Sequence, residues 1–275
     1  MIKLLRYSNT NTYLIKGSKG YLLFDTGWAG SFPLFCDEIK KEGISSSEIK
    51  YIFISHFHPD HMGIAQEIAK KAGCRIAVCD LQREYIHSSD HIFEKENNKS
   101  FIPIDEAFVD FYSIGQSREF LAKIGICGEV FHTPGHSEDS ISLWLDEGRL
   151  FVGDLNPLYE LELHRKTLIG KSWERLLLLN PKEVYYGHAK PLIIDRICEG
   201  KDSKSPEDNG ENSSKDAYLL VKSIMKLVDR GVHIDRICAK TGADKVFVED
   251  VTRMYLTHRD VGVQGILDRI EIKNR

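Results

Sequence analysis

One short stretch constrains the fold more than any other: an apolar run followed at once by a cluster of metal-binding side chains. Residues 51–54 (YIFI) predict a buried strand, and residues 56–61 read HFHPDH. Imidazole and carboxylate groups are ligands of zinc and similar ions. In extended backbone alternate side chains share one face, so His56 and His58 can hold one ion together. The fold must therefore bring the end of this strand to a metal site.

The second half of the same loop can serve a neighbouring ion. Pro59 turns the chain, and Asp60 and His61 stand at the start of the next predicted helix. A tetrahedral or five-coordinate ion needs more ligands than this loop supplies. Three further candidates follow predicted strands, and in each a glycine directly precedes the candidate and lets the backbone come close. They are His136 in TPGHS, Asp154 in FVGDL and His188 in YYGHA.

Short strand-like segments alternate with helical ones before residue 198, which favours a layered α/β domain. Strands are expected at residues 12–16, 21–24, 51–54, 75–78, 129–132, Ile141–Leu145, 150–152 and 183–186. A turn at residues 17–20 joins the first two as a hairpin. Helices are expected at residues 31–42 and 62–72, each closed by a glycine.

Residues 199–216 (EGKDSKSPEDNGENSSKD) contain no large apolar side chain, so they cannot bury enough surface to offset the entropy of ordering. We expect a polar linker here, between a domain of residues 1–198 and a helical C-terminal module of residues 217–275. Helices are expected in the module at residues 219–228, 232–240 and 246–255, and a helix-turn-helix is one arrangement of them. The module has a net charge of +3 and the rest of the chain −7.

The composition gives no support for some classes of partner. The formal charge of −4 gives no general attraction to nucleic acid or acidic membranes. The first residues lack a signal-peptide core, and no run approaches the ~18 apolar residues of a membrane helix. The six cysteines include no C-x-x-C pair and are expected to be buried thiols. These features favour a cytoplasmic protein without a membrane partner.

The ordered set H-x-H-x-D-H, T-P-G-H, G-D and G-H, with L-F-D-T-G at residues 23–27, resembles the metallo-β-lactamase superfamily over residues 1–195. The resemblance implies a four-layer αβ/βα sandwich with the ligands on loops at one edge of two facing sheets. It also implies their assignment. The first metal would be held by His56, His58 and His136, the second by Asp60, His61 and His188, and Asp154 would bridge both. For Asp25 two roles stay open: orienting a ligand or the backbone beneath the metal loop, or capping a turn.

Such a site predicts hydrolysis. Two divalent ions roughly 3.5–4 Å apart can share one water and bring its pKa toward neutrality. The bridging hydroxide is then expected to attack a small ester, thioester or lactone, while the ions stabilise the developing charge. Asp60 is the candidate catalytic residue, as a proton acceptor as well as a ligand. Zinc is the expected metal, with iron and manganese as alternatives.

Other functions stay open. A metal-dependent nuclease or phosphodiesterase would use the same ligands and bind nucleic acid through the helical module, although acidic residues are interleaved with its basic ones. A mononuclear iron oxygenase would use only the first metal site. A regulatory protein would bind DNA through the module and sense a ligand. The module could also form a homodimer or cover the active-site mouth.

Two further features have an uncertain place in the site. Residues 81–125 contain seven Phe and Tyr side chains, which predict core packing of helices, with a wall or lid over the substrate as the alternative. His164 lies ten residues after Asp154 and could face the pocket, but we expect it to be exposed.

Overall fold

The computed structural model describes residues 1–7, 9–194, 211–257 and 261–273. They fall in two compact units, Met1–Ile194 and a second unit within Asp195–Asn274. Residues 199–210 of the predicted linker lie outside the described residues. Within the described ranges, no helix combines the length and apolar character needed to cross a bilayer.

The first unit is built on two sheets. The six-stranded sheet has the order β1-β2-β3-β4-β5-β6, and its strands are Ile2–Leu5, Thr12–Gly17, Gly20–Phe24, Ile49–Phe53, Arg75–Cys79 and Val109–Tyr112. The five-stranded sheet has the order β11-β10-β9-β8-β7, and its strands β7 to β11 are Gly128–His132, Ile141–Leu145, Arg149–Phe151, Glu183–Tyr185 and Leu192–Ile193. Strands β3 to β6 pair in parallel, as do β9 and β10.

The helices of this unit connect and cover the strands. Helices α1 to α7 are Phe32–Lys41, Pro59–Met62, Ala65–Ala72, Asp90–Lys95, Ser117–Ala122, Leu161–His164 and Leu168–Leu177. Short 3-10 turns complete the connections, among them Asp80–Tyr85 and Leu158–Glu160.

These elements form four layers, with a hydrophobic core between each pair of adjacent layers. The two sheets face each other across a central core that includes Tyr13, Phe24, Phe53, Leu143 and Phe151. Because strand side chains alternate, the opposite face of each sheet is free to pack on helices. The six-stranded sheet packs on α1 and α3, and the five-stranded sheet packs on α7. The predicted αβ/βα sandwich is therefore confirmed.

The predicted strands are present, with ends within two residues of those expected. Strands β1, β6 and β11 were not predicted, and all three lie at sheet edges. They are two to four residues long, too short to show a clear alternation of apolar and polar side chains.

A continuous helix was predicted over residues 62–72, and this prediction is wrong. The structure has two helices here, α2 and α3, which Gly63 and Ile64 separate. Gly63 packs so tightly that a Cβ would lie 2.4 Å from the backbone nitrogen of Ala29. The break therefore follows from a tertiary contact that helical periodicity does not contain.

The aromatic segment contributes to the cores, as the first interpretation predicted. Phe93 is buried and stacks on Phe101 with ring centroids 3.9 Å apart. Tyr112 and Phe120 are buried between the sheets.

Two cysteines, Cys74 and Cys79, are buried as expected, whereas Cys36 and Cys238 are half-buried and Cys127 is exposed. The prediction of buried thiols is therefore wrong for Cys127, and Cys198 lies outside the described residues. His164 was expected to be exposed, yet it is buried.

The second unit contains four helices in its described part. Helices α8 to α11 are Glu211–Asp229, Ile234–Thr241, Lys245–Thr257 and Val263–Lys273. They share a core of their own, which includes Val221, Ile224, Ile237, Val248 and Ile266. The three predicted helices are present, but α8 begins within the segment assigned to the linker, and α11 was not predicted. A separate functional module in this unit stays a prediction.

Candidate metal centre

The seven predicted ligands lie in connections that follow the C-terminal ends of strands. The connection after β4, which includes helix α2, carries residues 56–61, and the loops after β7, β9 and β10 carry one candidate each. Strand β8 is antiparallel to both β7 and β9, and β10 is parallel to β9. The three candidates of the five-stranded sheet therefore leave it at one edge, where they meet the loop from the other sheet.

The first predicted group comes together as expected. Ligand atoms of His56, His58 and His136 lie within 4.8 Å of one another. Nδ1 of His58 and Nε2 of His136 are 3.1 Å apart. His56 is buried, its Nδ1 faces the Ser55 hydroxyl, and its Nε2 has no hydrogen-bond partner among the described residues. A buried nitrogen without a partner needs an explanation, and a cation held by the three imidazoles supplies one.

The second predicted group is equally compact. Ligand atoms of Asp60, His61 and His188 also lie within 4.8 Å of one another. The Nε2 of His188 is 2.9 Å from Oδ2 of Asp60. His61 is fully buried, and its Nε2 forms no hydrogen bond within the described part of the chain.

Asp154 lies between the two groups. Its Oδ1 is 3.2 Å from Nε2 of His61, without hydrogen-bond geometry. Its Oδ2 is 3.4 Å from Nε2 of His188 and 3.6 Å from Nε2 of His136. The structure thus brings all seven predicted residues together, with one carboxylate facing both groups.

Two glycines make this approach sterically feasible. A Cβ on Gly187 would lie 2.5 Å from Oδ1 of Asp154 and 2.8 Å from Cε1 of His61. Gly153 has a φ of +55°, and a Cβ there would lie 2.4 Å from the Ser55 hydroxyl oxygen. Gly153, which precedes Asp154, and Gly187, which precedes His188, are therefore needed for close packing of the loops.

Asp25 supports the loop from below. Its Oδ1 accepts a hydrogen bond from the Ser55 backbone at 2.7 Å. Its Oδ2 lies 2.9 Å from the Ser55 hydroxyl and 2.9 Å from Nδ1 of His61. These contacts match the first of the two roles left open for Asp25, because they orient both a predicted ligand and the backbone.

Sequence reasoning missed several other residues around the ligands. The Thr10 hydroxyl donates to the backbone oxygen of Asp60 at 2.8 Å, and Nδ1 of His188 is 2.9 Å from the backbone oxygen of Asn9. Asp139 accepts a hydrogen bond from the Phe57 backbone. For Asp139 the sequence offers one indication of a role at the site, namely its position in the same loop as the predicted ligand His136. Thr10 and Asn9 carry none, since they lie far from every motif in the chain.

Burial keeps the first group unprotonated. It lowers the pKa of His136 to about 4 and lowers the pKa values of His56 and His58 as well. These imidazoles are therefore neutral near pH 7, as metal ligands must be.

The carboxylates of the centre are ionised. Burial alone would raise the pKa of Asp60 and of Asp154, but the imidazoles of His61 and His188 outweigh it and lower both. Burial alone would lower the pKa of His61, but Asp154, Asp25 and Asp60 raise it. In the absence of metal the His61 imidazolium offsets part of this negative charge, and a bound cation would take over that role. Five imidazoles and two carboxylates are a donor set that fits divalent zinc, iron or manganese.

A family model described as the metallo-beta-lactamase superfamily matches residues 5–188, the range that contains all seven residues. The beta-lactamase-like protein 2 homolog of Caenorhabditis elegans is 29% identical over 203 residues, covering 70% of this chain and 59% of that protein. An atrochrysone carboxyl ACP thioesterase of Aspergillus fumigatus is 31% identical over 147 residues, covering 53% of this chain and 29% of that enzyme. The matches thus span less than two thirds of the length of each relative.

Solved structures extend the comparison to the fold. The BLEG-1 B3 metallo-beta-lactamase superposes with a TM-score of 0.56 at 20% identity, covering 74% of this chain and 98% of that one. At this identity the likeness concerns the fold alone, and it agrees with the sandwich described above. Since the family model spans nearly the whole first unit and the same fold surrounds the clustered residues, this chain belongs to the metallo-beta-lactamase superfamily.

Proposed function

We propose that the protein is a metal-dependent hydrolase that binds two divalent ions and cleaves a small ester, thioester or lactone. One observation carries the proposal. Six predicted ligand side chains from both sheets converge around a seventh, Asp154, and three buried ligand atoms of this set, one each on His56, His61 and Asp154, lack a hydrogen-bond partner in the described chain. Atoms of this kind are costly unless a cation occupies the space between them.

The first ion would be held by His56, His58 and His136. The second would be held by Asp60, His61 and His188, with Asp154 shared between the two. Bound divalent ions would supply Lewis acidity, which lowers the pKa of water and polarises an oxygen under attack. Zinc is the metal we expect, and iron and manganese suit the same ligands.

The chain's own residues define the side from which a substrate arrives. His56 and His61 are buried, whereas the side chains of Asp60 and His136 are 21% and 22% exposed. A substrate therefore reaches the centre past Asp60 and His136. At this position Asp60 is the group that can accept a proton from the reaction. The Thr10 hydroxyl, 3.3 Å from Oδ2 of Asp60, helps to hold the carboxylate there.

Exposed apolar side chains in the segment that follows Asp154 support a substrate with an acyl group. Tyr159, Leu163 and Leu168 follow Asp154 in the chain and are 48%, 71% and 54% exposed. Next to Leu168, Ile169 packs on Gly135, the neighbour of His136. Large exposed apolar side chains near a candidate site favour binding of an apolar group. The thioesterase among the relatives points to the same substrate class.

The alternatives find less support. Basic side chains of the second unit pair with acidic ones, as Lys245 does with Asp235 and Lys273 does with Asp250, which weakens the case for phosphate binding. An oxygenase that used only the first group would leave Asp60 and His188 without a role. We therefore keep hydrolysis of an ester-like bond as the proposal.

The test combines metal analysis with a substrate panel. The purified chain is loaded with zinc, iron or manganese and assayed on a nitrophenyl ester, an acyl thioester, a lactone, a phosphodiester and a short RNA. We expect two ions per chain and turnover of at least one of the first three substrates. Cleavage of RNA or phosphodiester alone, or oxygen uptake by the iron form, would overturn the proposal.

A further inference from the structure

The segment of residues 54–58 leaves the sheet, yet its peptide groups find partners elsewhere. The backbone oxygen of Ile54 accepts a hydrogen bond from Nε2 of Gln82 at 2.9 Å. The backbone oxygen of Ser55 accepts one from the backbone nitrogen of Ile141 at 2.8 Å. Unpaired peptide groups in a buried segment are costly, so these contacts determine the path of the loop.

The peptide groups of Phe57, between His56 and His58, have two different side-chain partners. The Phe57 nitrogen donates to Oδ2 of Asp139 at 2.7 Å. The Phe57 oxygen accepts from the Ser89 hydroxyl at 2.6 Å. Both side chains are 3% exposed, so water does not compete freely for either bond. The two partners come from different parts of the chain.

Asp139 links two of the ligand loops. It lies three residues after His136 in the loop between β7 and β8. Its side chain reaches the Phe57 nitrogen, and its backbone oxygen lies 3.2 Å from Nε2 of Gln82. A carboxylate that accepts from a buried N–H forms a charge-assisted bond, roughly twice as strong as a neutral one. The loop that carries His136 is therefore tied directly to the peptide between His56 and His58.

We propose that Asp139 is a positioning residue for the first ligand group. It holds His56 and His58 at the correct distance from His136, and it does so through the backbone without contacting the ion. The inference rests on the proposed function insofar as the three histidines bind metal. Replacement of a residue that orients metal ligands without contacting the ion typically lowers metal affinity about 10–100-fold.

The second ligand group has separate supports. Thr10 holds Asp60, Asp25 holds His61, and the backbone oxygen of Asn9 faces His188. None of these contacts involves Asp139. Loss of the Asp139 carboxylate should therefore weaken the first group and leave the second largely intact.

The experiment measures zinc affinity by chelator competition in backgrounds that keep one group each. His188→Ala leaves the first group complete, and His136→Ala leaves the second. Adding Asp139→Ala should weaken zinc binding about 10–100-fold in the His188→Ala background and less than threefold in the His136→Ala background. Cobalt spectra of the same variants report changes of geometry at the remaining ion, independently of activity.

Two companion variants distinguish a positioning role of Asp139 from a general loss of stability. Asp139→Asn keeps an oxygen that can accept from the Phe57 nitrogen, so it should keep zinc affinity within a few-fold of the wild-type value. Ser89→Ala removes the other hydrogen bond of the same residue without touching the loop of His136. We expect it to lower thermal stability, but to leave zinc affinity within threefold.

Three results would overturn the inference. One is equal zinc affinity with and without the carboxylate in the His188→Ala background. The second is a loss in Ser89→Ala as large as in Asp139→Ala. The third result applies if Asp139→Ala does not fold. In that case Asp139→Asn is the test, and a tenfold loss of zinc affinity in Asp139→Asn would overturn the inference. Failure of the wild-type chain to bind zinc, iron or manganese would instead overturn the proposed function, so the two failures are distinguishable.

Discussion

Several proposed ligands contact a neighbour that does not bind metal itself. Asp25 shows this most clearly, because it adopts a φ of +61°, a left-handed conformation that is uncommon outside glycine, Asn and Asp. The strain is offset by the contacts of its carboxylate with Ser55 and His61. At the scale of single residues, the site is therefore a set of ligands together with the side chains and glycines that position them.

Replacement of the shared carboxylate should strongly reduce activity. We expect Asp154→Ala to lower kcat/KM by at least about a thousandfold, because the centre loses its shared ligand and a preorganised negative charge. Asp60→Ala should have an effect of similar size. Steady-state assays on the active substrate, with circular dichroism to verify the fold, provide the measurement. Near-wild-type rates in both variants would contradict the proposed mechanism.

A glycine substitution offers a steric test of the close loop packing. Gly187→Ala should abolish zinc binding, since the new methyl group would overlap Asp154 and His61. Gly43→Ala is the matched control: its φ is +69° and nothing lies within 4 Å of the new Cβ. We expect the control to cost about 1 kcal/mol of stability through backbone strain alone and to bind zinc normally. Zinc titration and thermal denaturation of both variants provide the test, and normal zinc binding by Gly187→Ala would be inconsistent with the tight packing.

At the scale of secondary-structure elements, the single turn of helix α2 directs two neighbouring ligands to different sides. Successive helical residues point about 100° apart, so Asp60 and His61 face different sides of one turn. His61 is fully buried, whereas Asp60 is partly exposed at the entrance. The break at Gly63 lets this turn end against the loop after β3 without continuing into α3.

The segment around α6 should determine preference for the acyl group. We expect Leu163→Asp and Leu168→Asp to lower kcat/KM for long-chain acyl thioesters about tenfold, because a charge would replace the apolar contact surface. Activity on a two-carbon acyl group should change less than twofold. Leu178→Asp, at the C-terminal end of α7 and 86% exposed, is the control. A uniform loss across chain lengths would count against a role in acyl binding.

At the scale of the whole molecule, the proposed centre draws ligands from both sheets. Four come from the loop after β4 and three from loops of the five-stranded sheet. Bound ions would cross-link the two halves of the sandwich and would bind the folded state alone. Binding of this kind stabilises by about 4 kcal/mol when free ligand is a thousand times its Kd.

Metal removal should therefore lower stability. We expect treatment with a chelator to reduce the Tm of the loaded protein by several degrees, and re-addition of zinc to restore it. The Asp154→Ala variant should show little response to either treatment. Scanning calorimetry provides the measurement, and an unchanged Tm in the wild-type protein would argue against a cation between the sheets.

The metal-free protein should lose stability as the pH falls from about 6.5 to 4. In that range the first-group histidines stay neutral in the folded state, since burial lowers the pKa of each and brings that of His136 to about 4. The unfolded chain binds more protons there, so unfolding becomes more favourable, on the order of 3 kcal/mol for His136 alone. His61, with a raised pKa, is protonated in both states below pH 6.5 and contributes nothing in this window.

Denaturant titrations of the metal-free protein at pH 7 and pH 5 provide the measurement. Replacement of His136 by Gln should reduce the difference between the two pH values. Equal stability at both would show that these imidazoles do not stay neutral in the folded chain.

The local pattern of residues determined much of this protein in advance. The dense spacing of residues 56–61 and the Gly-His and Gly-Asp pairs identified all seven converging side chains, because a ligand motif is a property of neighbouring residues. Apolar runs likewise located the interior strands, since burial on both faces leaves a continuous signal. The edge strands β1, β6 and β11 and the break at Gly63 left no such signal.

Only the tertiary structure decided which side chains hold the ligands in place. Asp139 reaches Phe57, Thr10 reaches Asp60, and Asp25 reaches His61 across 82, 50 and 36 positions of sequence. Such contacts depend on how two sheets pack and on where their loops meet. A local pattern carries no record of that packing, because the partner of each peptide group is chosen by the folded chain as a whole.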